Sequence, residues 1–102
     1  MDWVDEAMRC LDGMLPAGSR MIVFGSQARG DARADSDLDL LVIEPDVPDR
    51  HAEMVRLSTL LGQCLIPADV VVMSADAFER QRVITNTLAW RAALEGRVHE
   101  CA

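Results

Sequence analysis

Three short runs of strand-forming residues narrow most what this chain can fold into: Met21-Ile22-Val23-Phe24, Leu38 to Ile43, and Asp69 through Met73. Each is bounded by turn signals, with Pro16-Ala17-Gly18-Ser19 and Gly25 around the first, Glu44-Pro45 after the second, and Gly62 and Pro67 before the third. Runs this short, aliphatic and β-branched, read as buried strands. The segments around them carry helical spacing instead. Val4, Met8, Leu11 and Leu15 recur at i, i+4, i+7 and i+11 over residues 3–15, and Met54, Leu57 and Leu61 share one face of a helix over residues 50–62 that Asp49 can cap. Ser74 is the expected N-cap of a helix starting near Ala75. A longer helix then carries Ile84, Leu88, Trp90, Ala92 and Leu94, and Gly96 ends it at the position after the cap. Arg97-Val98-His99 is expected to add a short edge strand. The order predicts an α/β (α+β) fold, a small mixed sheet of three to four strands flanked by helices. At 102 residues, the chain is expected to form a single domain over 1–102.

What the chain lacks excludes whole classes of chemistry. All ten basic residues are arginine, so a Schiff-base lysine and a phosphate-loop lysine are both ruled out. There is no tyrosine to act as acid or nucleophile. A formal charge of −7 opposes non-specific nucleic-acid affinity, which comes from neutralising phosphates with cations, so no direct nucleic-acid binding is expected. Cys10, Cys64 and Cys101 are odd in number and form no Cys-x-x-Cys pair, which predicts neither a disulfide framework nor a zinc site. His51 and His99 stand apart in the sequence and suggest no histidine metal cluster. The acidic start, Met1 to Glu6, does not read as a signal peptide, and no apolar stretch approaches the ~20 residues of a membrane span. A cytoplasmic protein without membrane contact is expected.

The segment from Gly25 to Leu40 carries the chemistry. Gly25 and Gly30 have the spacing of a phosphate loop, but Asp31 and Ala32 stand where lysine and serine or threonine belong, so the ordinary loop is rejected. Gly25 still lets backbone approach a ligand closely, and Ser26 adds a hydroxyl beside the freed N–H groups. Alone, this pair reads first as the turn after a strand. Asp37 and Asp39 change the weighting. On a strand, residues i and i+2 point to one side with Cα atoms about 6.5 Å apart, while Leu38 and Leu40 turn into the core. Two such charges repel by about 2.5 kcal/mol at an effective dielectric of 20. On a merely solvated face other polar residues would serve better. A divalent cation converts the repulsion into attraction, and hard oxygen ligands suit Mg²⁺. Asp69, opening the third strand, can lie beside them as a third carboxylate and proton acceptor, or can simply be a strand-entry residue.

Gly25-Ser26, ten intervening residues and then Asp37-Leu38-Asp39-Leu40-Leu41-Val42 resembles the signature of the DNA polymerase β-like nucleotidyltransferase superfamily, which includes kanamycin nucleotidyltransferase. The Gly-Ser-Gln-Ala-Arg-Gly form, the Ser36-Asp37 step, Ala68-Asp69-Val70-Val71 and the closing Leu94-Glu95-Gly96 are similar to its smallest branch, the minimal nucleotidyltransferases (MNT). The resemblance spans essentially the whole chain. It implies that Gly25 and Ser26 hold the triphosphate of ATP with Ser36 nearby, and that Arg29 either contacts phosphate or forms a structural salt bridge. It further implies that Asp37, Asp39 and Asp69 form the catalytic set, binding two Mg²⁺ ions. The implied chemistry is attack of a hydroxyl on the α-phosphorus with loss of pyrophosphate, which depends on positioning and metal charge and needs neither lysine nor histidine.

The resemblance also implies an antitoxin, paired with a HEPN-type ribonuclease toxin that it inactivates by adding AMP. Relatives that grip primer or tRNA add domains for which 102 residues leave no room. Two other functions compete: neutralisation of the partner by contact alone, with a vestigial nucleotide site, and transfer to a small aminoglycoside-type acceptor. The repelling Asp37 and Asp39 favour the enzyme over the pure binder, and the larger size of small-molecule transferases places that reading last.

Overall fold

A computed structural model describes residues 3–25 and 38–100. Chain order is helix α1 (Trp3–Leu11), strand β1 (Arg20–Phe24), strand β2 (Leu38–Glu44), helix α2 (Arg50–Gln63), strand β3 (Ala68–Ser74), helices α3 (Ala75–Gln81) and α4 (Leu88–Glu95), and strand β4 (Arg97–Glu100). The strands form one mixed sheet in the order β3-β2-β1-β4. β1 runs antiparallel to both β2 and β4, and β2 runs parallel to β3, with α2 as the crossover that a parallel pair requires. The expected α+β architecture and the edge strand at 97 are both present.

Alternation along the central strands divides the core in two. Leu38, Leu40 and Val42 of β2 join Met21 and Val23 of β1 and Val70 and Val72 of β3 under α1 and α2. Ile22, Phe24, Leu41, Ile43 and Met73 point the other way, under Phe78 of α3 and Ala89 and Ala92 of α4. Covered on both faces, β2 is almost wholly buried, which explains its near-continuous apolar run. The caps fall where the sequence places them: the Asp49 carboxylate accepts from Ala52 N at 3.0 Å and Ser74 Oγ from Ala77 N at 3.2 Å. No helix among the described residues is long and apolar enough to cross a membrane.

Three boundaries differ from expectation. α1 stops at Leu11 rather than 15, because Gly13 adopts φ +79°, although Leu15 still packs on the core beyond the turn. The helix expected to carry Ile84 begins only at Leu88. Thr87 Oγ1 accepts from Trp90 N at 3.1 Å and donates to the carbonyls of Gln81 and Ile84 at 2.9 Å, capping α4 while holding the preceding turn, and Ile84 is left exposed. Gly96 does end α4, its N–H donating to Ala92 O at 2.8 Å, but at φ −81° rather than in the left-handed region. Its missing Cβ matters for another reason: a methyl there would collide with Ile22 Cγ2 and the carbonyls of Ala92 and Val23.

Glu44 is the unexpected core residue. The Glu44-Pro45 step is expected to stop the strand, yet Glu44 is its last member and only 3 % exposed. Burial, then a hydrogen bond to Glu53 and its charge, push the Glu44 carboxyl up to about 7. Glu53 goes the other way, to about 2, because Arg56 Nε and Nη2 each donate to its carboxylate at 2.7 Å. Arg56 also donates to Met14 O at 2.9 Å, tying α2 to the turn after α1. On the same side, the fold brings together two cysteines that the sequence keeps 54 positions apart: the Cys64 thiol lies 2.6 Å from Cys10 Sγ. Both are free thiols; Cys64 is exposed, while Cys10 donates to Leu60 O at 3.3 Å and is pushed up to about 12 by burial and by Cys64.

Candidate active site

The site starts where β1 ends. Gly25 follows Phe24 and turns the chain with φ +75°, a conformation that costs any other residue. Its N–H donates to Glu95 Oε1, at the end of α4, at 3.1 Å. A side chain at Gly25 would also run into the Asp39 carboxylate. Glycine is therefore required twice, by dihedral angle and by space.

Register places the carboxylates. Asp39 stands opposite Phe24 on β1 and opposite Asp69 on β3, so the two aspartates are direct neighbours on adjacent parallel strands. Strands lie about 4.8 Å apart, which puts both carboxylates within reach of one ligand. By alternation both belong to the α3/α4 face, where buried Leu41 and partly buried Val71 continue the same rows. The face is sealed further along the strands and opens at Asp39 and Asp69. There it forms a cleft of about 400 Å³, with Phe24, Gly25, Asp39 and Asp69 on the sheet side and Leu88, Arg91 and Glu95 on the helix side.

Of the seven residues expected at the site, the fold thus brings Gly25, Asp39 and Asp69 into one cleft. Ser26, Arg29, Ser36 and Asp37 lie outside the described residues. Among the described residues no group of three or more metal-ligating side chains converges. The donor set present, two carboxylates in register on a half-buried face, has the hard-oxygen chemistry that Mg²⁺ takes. Arg91 and Glu95 are site residues to which sequence reasoning gave no role. Their signal was the spacing Leu88, Arg91, Glu95 (i, i+3, i+7), a second stripe on a helix whose other stripe, Ala89 and Ala92, packs on the sheet.

A four-strand mixed sheet with helices on both faces and paired carboxylates on adjacent strands defines an α+β domain whose cleft offers hard oxygen ligands. The family model for the nucleotidyltransferase domain matches residues 4–95, and the chain belongs to that family. Its fold is similar to that of a toxin–antitoxin complex crystallised with AMP-PNP, at a TM-score of 0.67 and 20% identity, covering 96% of this chain and 73% of the other. It is also similar to a protein from Sulfolobus solfataricus assigned provisionally to the nucleotidyltransferases, at a TM-score of 0.52 and 21% identity, covering 78% of this chain and 80% of the other. At these identities the likeness is one of fold. No curated protein sequence matches the chain.

Proposed function

We propose that this chain, a single domain over residues 1–102, is an Mg²⁺-dependent nucleotidyltransferase. It moves AMP from ATP to a hydroxyl of a partner protein and so acts as the antitoxin of a HEPN-type toxin. The observation that carries the reading is the register of Asp39 with Asp69 beside the Gly25 turn, in a cleft open to solvent. Family membership supports the transfer chemistry. The toxin–antitoxin neighbour, crystallised with an adenine nucleotide analogue, supports the partner and the nucleotide.

Asp39 and Asp69, with Asp37, would hold Mg²⁺, which when bound supplies charge neutralisation at the transferring phosphoryl group. The chain's own residues do the rest by positioning. The Gly25 turn, fixed by Glu95, presents backbone to the triphosphate with Ser26, while Ser36 and Arg29 add polar contacts. Asp69, at the outer side of the pair, accepts the proton of the attacking hydroxyl. Half-burial of Asp39 between β1 and β3 fixes its direction before substrate arrives.

The test is intact-mass spectrometry on a HEPN-type toxin co-expressed with this chain. With wild type, ATP and Mg²⁺, the partner should gain mass in units of AMP. With Asp39→Asn it should still co-purify but stay unmodified. Full neutralisation of the toxin with no mass gain from wild type would refute the transfer and leave neutralisation by contact.

A further inference from the structure

Arginine supplies every strong cation in this chain, and the fold commits most of the described ones to structure. Arg9 pairs with Glu6, Arg20 and Arg82 flank the Phe78 ring and reach Glu79, Arg50 donates to Val72 O, and Arg56 forks Glu53. Arg80 and Arg91, both exposed, make no side-chain hydrogen bond, ion pair or ring contact with a described residue, and of the two Arg91 lines the cleft.

Such isolation in an acidic cleft has a geometric cause. Asp39, Asp69 and Glu95 line the same space, yet none forms an ion pair with the guanidinium. Glu95, one helical turn further on, is engaged by the Gly25 N–H. The end of α4 cannot settle closer to the sheet, because Gly96 already touches β1. Arg91 thus stands on the helical wall of the cleft whose sheet wall carries the two carboxylates. A ligand placed between them must offer anionic oxygens to Arg91 and tolerate carboxylates on its other side, as a metal-bound phosphate does. The planar fork of arginine matches two phosphate oxygens at once, which an ammonium cannot do.

Building on the nucleotidyl-transfer reading, we infer that Arg91 is a catalytic residue that grips the non-bridging oxygens of the α-phosphate from the helical wall. Asp39 and Asp69 approach the same group from the sheet.

The experiment is calorimetric titration of the full chain, in Mg²⁺, with an α,β-methylene ATP analogue and separately with AMP. Arg91→Ala should weaken both by about ten- to a hundredfold, the loss of one or two charge-assisted hydrogen bonds, and Arg91→Lys should recover part of it. The unfolding midpoint of both variants should match wild type, since Arg91 has no structural partner. Unchanged binding by Arg91→Ala overturns the assignment. A loss confined to the triphosphate also overturns it, by moving the guanidinium to the leaving pyrophosphate. Failure of wild type to bind the analogue overturns the transfer reading and the role of Arg91 together, so the two failures are told apart by the wild-type titration.

Discussion

Glu44→Gln should make this protein more stable, and increasingly so as the pH rises. The Glu44 carboxyl is buried at the end of β2 and held at about 7 against an ordinary 4.5, so the folded state binds its proton more tightly than the unfolded state does. The sign follows from linkage. Below about pH 4.5 both states are protonated and nothing is lost; between about 4.5 and 7 the unfolded state ionises first and stability falls; above about 7 the loss is complete. A shift from 4.5 to about 7 corresponds to about 3 kcal/mol at most, at 1.36 kcal/mol per unit. Glutamine has nearly the same volume, cannot ionise, and its amide can donate to Glu53 as the protonated acid does. Glu53, held near 2 by Arg56, supports stability that is present above its ordinary 4.5 and lost only as the pH falls toward 2, so it does not mask the effect. Thermal unfolding by circular dichroism from about pH 5 to about pH 8 should show wild type declining and Glu44→Gln flatter, the curves diverging by roughly 10 °C at the alkaline end. Parallel curves, or a variant less stable than wild type at about pH 8, would refute the burial argument.

Gly25→Ala should lower stability by about 1–2 kcal/mol through its left-handed backbone alone. It should also swing the Asp39 carboxylate aside and erase any thermal shift from ATP with Mg²⁺; a retained shift would show that the turn does not position Asp39. Thr87→Ala should cost about 1–2 kcal/mol by uncapping α4, read by chemical denaturation, and a loss under a few tenths would mean the cap is redundant. Maleimide labelling followed by peptide mapping should modify exposed Cys64 well before Cys10, whose raised thiol is a poor nucleophile; equal rates would contradict the burial of Cys10.

Much of this architecture was legible because local chemistry and tertiary need agree. Met21 to Phe24 and Leu38 to Ile43 could only be buried strands, and Asp49 and Ser74 announced their helices by cap chemistry that depends on three or four neighbouring residues. The break before Leu88 was hidden because Thr87 acts through the carbonyls of Gln81 and Ile84, whose positions exist only once α3 has formed. Register was equally hidden: that Asp39 faces Asp69 and not a neighbour depends on how β2 and β3 align, which no local signal sets. Arg91 and Glu95 were visible as residue types, but their direction is fixed by Ala89 and Ala92 docking on the sheet. Glu44 misled because a Glu-Pro step reads as the stop after a strand, whereas Glu44 is the strand's buried last residue.

The contact at Gly96 limits how this cleft can change. Gly96, at the end of α4, meets β1 there at the Val23 carbonyl and the Ile22 methyl, and has no side chain of its own to shorten. Helix and sheet are joined like two parts machined to a shared stop, and the residue before that stop, Glu95, holds the turn at Gly25. Sliding α4 to admit a bulkier ligand would break both contacts together. A descendant of this protein that took a larger or differently charged substrate would therefore change the side chains at Leu88 and Arg91 long before it moved the helix that carries them.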